Sequence, residues 1–340
     1  MPRAKSGSSG QQRPKRVTLQ DIAKVAGVHV MTVSDALNDT RSVAPATRER
    51  VKEIARSLNY IPNSAARALV TGRTGVIAIL SGAMEEPYYA NMVHALEKHL
   101  ATDGYKLLLL RTPHEVHDLV HATGNTAVDG AIAIDMYHLV EEFRTRSPIP
   151  CVSIGTIERS FVDHVIVDLS SSVEEALNIM IAAGRKRIAY LVTAPHMAEP
   201  TEVRARTYLN AMAAAQQTPE IIDVDTDVFA TVRERFRAYI AENGCPDALL
   251  CQNDETAMCA YRVMKDAGCR IPEDVLLVGC DGQLHMEYFE PPLSTIVQPM
   301  AEICAVAWQF LKRRIAQPDL PLQEATLQGE LVVRPSLLKI

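Results

Sequence analysis

Apolar positions recur at two different spacings along this 340-residue chain, and the change falls near residue 75. Before it the spacing is helical. Ile22, Ala23 and Val25 give an apolar side to a helix that starts at Thr18, because Thr18-Leu19-Gln20-Asp21 fits a capping box in which the hydroxyl and the acid three residues on satisfy each other's backbone donors. Ala26-Gly27 then turns the chain. The pattern predicts a second helix over about 30–37 and a third, amphipathic one over 45–59, with Pro45 at a favourable first position. Leu37, Val51, Ile54, Ala55 and Leu58 read as the core of this small domain. Two short helices about a glycine turn, with a third behind, follow the helix-turn-helix plan.

From Gly75 onward, short apolar runs alternate with amphipathic stretches. Strands are predicted at 76–80, 106–110, 131–134, 151–154, 188–192, 221–224, 248–251 and 275–278. Helices are predicted between them at 88–103, 114–122, 172–183, 203–216, 231–242 and 256–267, with a late one at 302–315. This alternation argues for doubly wound parallel sheets. Roughly 230 residues of it exceed what one such sheet takes, so two lobes are expected.

Charge sharpens the division. Residues 1–73 carry 13 Lys/Arg against 5 Asp/Glu, a net of +8, whereas the remainder carries 22 against 36, a net of −14. A basic head on an acidic body suits a nucleic-acid contact confined to one end. The seven cysteines are odd in number, form no C-x-x-C pair and sit mostly in apolar company, so all seven read as reduced, buried small hydrophobes of a cytoplasmic protein. No run of about 18 apolar residues suggests a membrane span. Residues 1–16 lack the apolar stretch of a secretory signal and read as a flexible basic tail.

The segment Tyr60-Ile61-Pro62-Asn63-Ser64-Ala65-Ala66-Arg67-Ala68-Leu69, following that three-helix pattern, closely resembles the start of the LacI family of bacterial transcription regulators. The resemblance continues through Gly184-Arg185-Lys186-Arg187-Ile188-Ala189, Arg204 to Tyr208, Asn253-Asp254, Ile271-Pro272-Glu273-Asp274-Val275, Gly279-Cys280-Asp281 and Pro292-Leu293-Ser294-Thr295. It implies an α/β fold: a two-lobed, periplasmic-binding-protein-like core of two doubly wound parallel sheets, behind an all-α helix-turn-helix domain. The expected boundaries are a helix-turn-helix domain at 17–62 and a hinge helix with linker at 63–74. A first lobe is expected from 75–170 plus 300–320, and a second from 171–299 plus 321–340. The chain then crosses between lobes near 168–171, 298–300 and 318–323.

Carried onto this chain, the family pattern puts Val30, Met31 and Asp35 at base-reading positions of the second helix. Val and Met offer apolar contact to thymine methyls, and Asp35 can only accept, as from a cytosine amine. Asp35 stands where many members have Arg, and His29 where Ser usually caps the helix, so the operator need not be the family's usual one. Ala44 likewise stands where a capping Ser is common. His29, Thr32, Ser34 and Asn38 are expected beside phosphates, which position the domain without reading sequence, and Thr18 and Tyr60 are expected among the DNA-binding residues. The resemblance makes Asn63, Ala66, Arg67 and Leu69 part of a hinge helix whose leucine enters the minor groove. Residues 64–70 are too few for a stable helix alone. They would order only against DNA and the twin helix of a second subunit, with Leu69 as an apolar wedge between base steps.

For the core, the resemblance implies a ligand between the lobes. Tyr88 and Tyr89 stand where the family stacks rings on ligand; Arg204 and Asp281 match positions that hold ligand hydroxyls. Asn253 ends a strand, with Asp254 expected to cap the next helix. Gln298 lies at a crossing and Asp135 at a strand end. Gly155 stands near where some members have Asp. Trp308 reads as core. His114, His117 and His121, with Glu115 and Asp118, cluster opposite Val116, Leu119 and Val120 and read as a solvated polar face, so no metal and no cofactor is expected.

No Walker loop, G-x-G-x-x-G, G-x-S-x-G or H-E-x-x-H motif occurs, so no enzyme is expected. The expected function is a sequence-specific repressor that binds palindromic double-stranded operator DNA as a homodimer. A small-molecule effector, a sugar or sugar derivative, would control it; a purine corepressor or a partner protein is the alternative. The chain ends soon after Leu331-Val332-Val333-Arg334-Pro335, which favours a dimer over a tetramer joined by an added helix.

Overall fold

The structure is a computed structural model that describes residues 17–38, 43–60, 72–82, 84–121, 127–144, 149–157, 161–226 and 228–338. The chain divides into two compact units, Met1–Arg73 and Thr74–Ile340.

In the first unit, α1 (Leu19–Ala26), α2 (Val30–Asn38) and α3 (Pro45–Ser57) pack around Ile22, Ala26, Val33, Ala36, Val51 and Ala55. The capping box at Thr18 forms: the Asp21 carboxylate accepts from Thr18 N at 2.9 Å and from its hydroxyl at 2.7 Å, while the hydroxyl accepts from Asp21 N at 3.4 Å. Leu37, Ile54 and Leu58 pack half-buried against that core. The third helix ends at Ser57, two residues short of its predicted end. Residues 61–71 lie outside the described residues, and with them Asn63, Ala66, Arg67 and Leu69.

The second unit follows the strand–helix alternation. Its strands are β1 (Val76–Leu80), β2 (Lys106–Leu110), β3 (Gly130–Ile134), β4 (Cys151–Gly155), β5 (Asp163–Asp168), β6 (Ile188–Val192), β7 (Glu220–Asp223), β8 (Ala248–Cys251), β9 (Leu276–Asp281), β10 (Ser294–Val297), β11 (Glu324–Gln328) and β12 (Glu330–Val332). The helices between them are α4 (Pro87–Thr102), α5 (Pro113–Val120), the single turn α6 (Tyr137–Val140), α7 (Ser170–Ala182), α8 (Val203–Ala214), α9 (Phe229–Asn243), α10 (Asp254–Asp266) and α11 (Met300–Ala316). Among the described residues the strands form two six-stranded sheets, ordered β11-β5-β4-β3-β1-β2 and β12-β10-β9-β8-β6-β7. All pairings are parallel except β10 with β12. The inner strands β3, β4, β6, β8 and β9 are buried throughout, as helices on both faces of a parallel sheet require.

The third crossing departs from the expected one. Residues 321–340 do not all belong to the second lobe, because β11 pairs in parallel with β5 of the first sheet and the chain crosses only afterwards, at Gly329. The cause is Asp163, a buried carboxylate at the start of β5. It accepts from Arg314 Nε at 3.0 Å and Nη2 at 2.7 Å, and from Gln323 N at 2.8 Å, which ties the segment after α11 to the first sheet. At the crossing a Cβ on Gly329 would come within 2.7 Å of the end of the Leu169 side chain, so any side chain there would require Leu169 to shift.

The cysteines also depart from expectation. Cys245 and Cys269 form a disulfide, while Cys151, Cys251, Cys259, Cys280 and Cys304 are free, so the reading of all seven as reduced fails for that pair. Each of the two follows a helix and precedes a strand, α9 to β8 and α10 to β9, and the adjacent parallel strands bring those loops together at their amino ends. Trp308 packs in the core as expected, its Nε1 donating to Asp103 at 2.7 Å.

Candidate functional site

In both sheets the strand order reverses beside the first strand of the lobe, between β1 and β3 and between β6 and β8. A crevice at the carboxyl ends of strands flanking such a reversal is where open α/β sheets take ligands. A cleft of about 510 Å³ lies there, within the range of small-molecule sites. Tyr88, Tyr89, Asp135, Arg204, Asn253, Asp281 and Gln298, the seven residues singled out from the sequence, all line it.

Its second-lobe wall is held by a hydrogen-bonded frame. Glu202 caps α8, accepting from Arg204 N at 2.8 Å and Ala205 N at 3.0 Å, and its other oxygen takes the Arg204 Nε proton at 2.9 Å. Arg204 also donates to the Gln252 carbonyl at the end of β8. Burial works against the Arg204 charge, yet Glu202 beside it holds the guanidinium firmly protonated, well above the ordinary arginine range. Gln252 in turn bridges the strand ends, accepting from Thr193 N at 2.8 Å and donating to its hydroxyl at 2.5 Å. Sequence reasoning misses Glu202 and Gln252, although each adjoins a residue that it finds: Glu202 two before Arg204, Gln252 one before Asn253.

Asn253 lines the cleft as expected but also takes the capping part expected of Asp254. Asn253 caps α10, its side-chain oxygen accepting from Thr256 N at 2.9 Å. Asp254 is wholly buried behind the cleft, accepting from Gln283 N at 2.6 Å and Thr295 Oγ1 at 2.6 Å. A Cβ on Gly279 would lie 2.2 Å from the Asp254 carboxylate, so the glycine of Gly279-Cys280-Asp281 is what lets that carboxylate stand there. Burial raises Asp254 to about 7. Burial also lifts Asp281 well above the usual carboxylate range, with added repulsion from Asp254 and Glu255. Asp281 sits at φ 115° and Asp135 at φ 53°, left-handed conformations unusual outside glycine, each at a strand end where the backbone bends at the cleft.

One chain of hydrogen bonds runs across the lobes. Tyr88 on α4 of the first lobe donates to Gln298 Oε1 at 3.3 Å, and Gln298, in the crossing just after β10, donates to Asp281 Oδ1 on β9 at 2.8 Å. Tyr88 is buried and meets Tyr89 edge-on, with ring centroids 5.2 Å apart.

In the first unit, Val30, Met31, Thr32, Ser34, Asp35 and Asn38 all stand on α2. Met31 is 53% exposed, large for an apolar residue with no core to join. Asn38 donates to Ser34 Oγ at 3.3 Å. His29 takes the place of the missing serine, its Nδ1 accepting from Met31 N at 3.3 Å, which satisfies one of the open donors of the helix start. No capping side chain replaces serine at Ala44.

Residues 18–63 match the family described as bacterial regulatory proteins, lacI family, and residues 177–337 match the periplasmic binding protein-like domain. The HTH-type transcriptional repressor PurR of Aliivibrio fischeri is 31% identical over 333 residues, 94% of this chain and 98% of that one. The PurR repressor of Photobacterium profundum is 30% identical over 94% of this chain and 98% of its own length. The chain belongs to the lacI family of bacterial regulatory proteins. Like these lacI-family relatives, it is a DNA-binding transcriptional repressor with an effector-binding core. Solved lacI-family structures agree in fold. A lac repressor dimer bound to operator and the anti-inducer ONPF superposes with a TM-score of 0.79 at 23% identity, covering 95% of this chain and all of that one. A complex of the transcriptional regulator CelR with cellobiose gives 0.67 at 26% identity, over 94% of this chain and all of its own. The lacI-family motif 184–189 proves to be structural: Arg185 donates to the carbonyls of Pro272, Glu273 and Asp274, and Arg187 pairs with Glu220 at 2.7 Å, both at the amino ends of the strands, away from the cleft. No helix among the described residues is long and apolar enough to cross a membrane.

Proposed function

We propose that a neutral, polyhydroxylated small molecule, a sugar, binds in the cleft and switches the repressor's affinity for its operator. The observation that carries this reading is the make-up of the walls. Arg204, Asp281, Asn253, Asp135 and Gln298 converge as donors and acceptors, against the apolar faces of Tyr88 and Tyr89. Both tyrosines belong to the first lobe, and the second lobe adds no Phe, Tyr or Trp ring among the described lining residues, so a flat base would find one aromatic wall rather than a sandwich. Glu86, Asp135, Glu199 and Glu202 outnumber Arg204, which disfavours a phosphorylated ligand. The related regulator solved with cellobiose is consistent with this class.

The hydrogen-bond chain from Tyr88 through Gln298 to Asp281 gives the ligand its leverage. A sugar that takes over the Asp281 and Gln298 contacts alters what joins the lobes, and so biases the angle between them. On the DNA side, α2 reads base edges through Val30, Met31 and Asp35, with phosphate contacts from His29, Thr32, Ser34 and Asn38, and Thr18 and Tyr60 also at the DNA. Leu69 wedges a base step, and two copies of the chain engage a two-fold operator.

A thermal-shift screen of the full chain against neutral mono- and disaccharides, sugar phosphates, and purine bases tests the ligand class. Neutral sugars should raise the melting temperature. Asp281→Ala should weaken the best of them several-fold to about tenfold, as expected for losing a buried hydrogen bond worth roughly 0.5–1.5 kcal/mol. Stabilisation by a purine base and by no sugar would replace this reading with a nucleobase effector.

A further inference from the structure

We infer that His117, His121 and Glu142 form a zinc site on the first lobe, independent of the cleft. The helix carrying the histidines is firmly placed. Thr112 caps α5 through Glu115 N at 3.3 Å, and the Glu115 carboxylate closes back on Thr112 N and Arg111 N, both at 3.0 Å. Val116, Leu119 and Val120 bury the opposite face. Four residues apart, His117 and His121 share the outer face, and their ring centroids lie 4.3 Å apart.

Glu142 comes from a different element, the 3-10 turn Glu141–Arg144 after α6. Phe143, buried beneath it, anchors that turn, and Arg144 pairs with Glu141 at 2.7 Å and covers the Phe161 ring. The turn delivers one oxygen, Glu142 Oε2, to 3.3 Å from His117 Nδ1 and 3.3 Å from His121 Nε2. All three donor atoms lie within 4.8 Å of one another. Tetrahedral zinc with bonds of about 2.0–2.1 Å sets its ligand atoms roughly 3.4 Å apart. The two distances already match that edge, so an ion can enter with small side-chain adjustments.

The donor chemistry agrees. Two imidazoles and one carboxylate suit zinc among the divalent ions, while a calcium or magnesium site would call for oxygens alone. Without a metal, two imidazoles directed at one carboxylate oxygen satisfy it only as proton donors. A metal lets both present lone pairs to the same point. The side chains are half-exposed, which leaves the fourth position to solvent. His114 is not part of the set: its Nε2 lies 3.5 Å from Asp118 at the start of the same helix. Bound zinc would staple α5 to the turn after β3, two successive connections of one lobe.

The test is calorimetric titration of the metal-stripped full chain with zinc chloride, alongside thermal melts. One ion per chain should bind and raise the melting temperature. His117→Ala, His121→Ala and Glu142→Gln should each weaken binding by about 10–100-fold or more, since even outer-shell partners of metal ligands are worth that much. His114→Ala should bind as the parent does. The substituted side chains lie outside the core, and circular dichroism verifies that each variant keeps the parent fold. No saturable binding, or one-ion binding unchanged in His117→Ala and Glu142→Gln, overturns the assignment.

Discussion

Asp254 shows how far one side chain can govern the cleft without lining it. It joins α10, the loop after β9 and β10 through its bonds to Gln283 and Thr295. Burial holds its carboxyl near 7, against an ordinary 3.8. A carboxyl raised in the folded state binds a proton that the unfolded chain has released, so its contribution to stability is full below about 4 and is lost as pH rises through about 7. Asp281, raised for the same reason, acts in the same direction. Asp254→Asn removes the titration and keeps one acceptor for Gln283 N. Its unfolding free energy relative to the parent should therefore climb between pH 4 and 7, at a limiting slope of about 1.4 kcal/mol per pH unit. Denaturant titrations across that window check it, and parallel pH profiles for the two proteins would refute it. Little of this is legible in the sequence. Asn-Asp at a strand end announces a helix start, but which of the two caps it depends on the gap that Gly279 leaves, a contact 25 positions away in the chain.

At the scale of elements, legibility follows burial. The strands buried on both faces, β3, β4, β6 and β8, read as apolar runs, broken only by the small Ser153 in β4, and stand within a residue of where the pattern puts them. β5 and β10 give no such signal: DHVIVD and STIV bury polar side chains that only tertiary partners satisfy, such as Asp163 with Arg314 and Thr295 with Asp254. β11 alternates exposed and half-buried positions as an edge strand, and nothing local says which sheet it will join. The Asp163–Arg314 pair makes that choice. Asp163→Ala leaves a largely buried guanidinium uncompensated, which costs about 3–5 kcal/mol. The loss should appear in urea unfolding of the full chain. A cost below about 1 kcal/mol would mean that the pairing of β11 with β5 does not depend on the ion pair. The zinc trio belongs to this scale too: the histidines form a visible helix face, whereas Glu142 reaches them only through the path of the intervening loops.

For the whole molecule, the asymmetry of charge and the change of spacing near residue 75 already separate a basic helical unit from an acidic two-lobed one, and the structure divides at Arg73 and Thr74. A repressor made this way must couple its two ends, and coupling in free energy is reciprocal. The decisive measurement is therefore a pair of titrations at one fixed salt concentration, since phosphate contacts make affinity steeply salt-dependent. The full chain is titrated by fluorescence anisotropy against a duplex selected from random sequence, with and without the best neutral sugar from the thermal screen. The sugar is then titrated against free and duplex-bound protein. The cleft reading predicts that sugar changes duplex affinity and that duplex changes sugar affinity by the same factor. Equal sugar affinity for the free and the duplex-bound protein would contradict it.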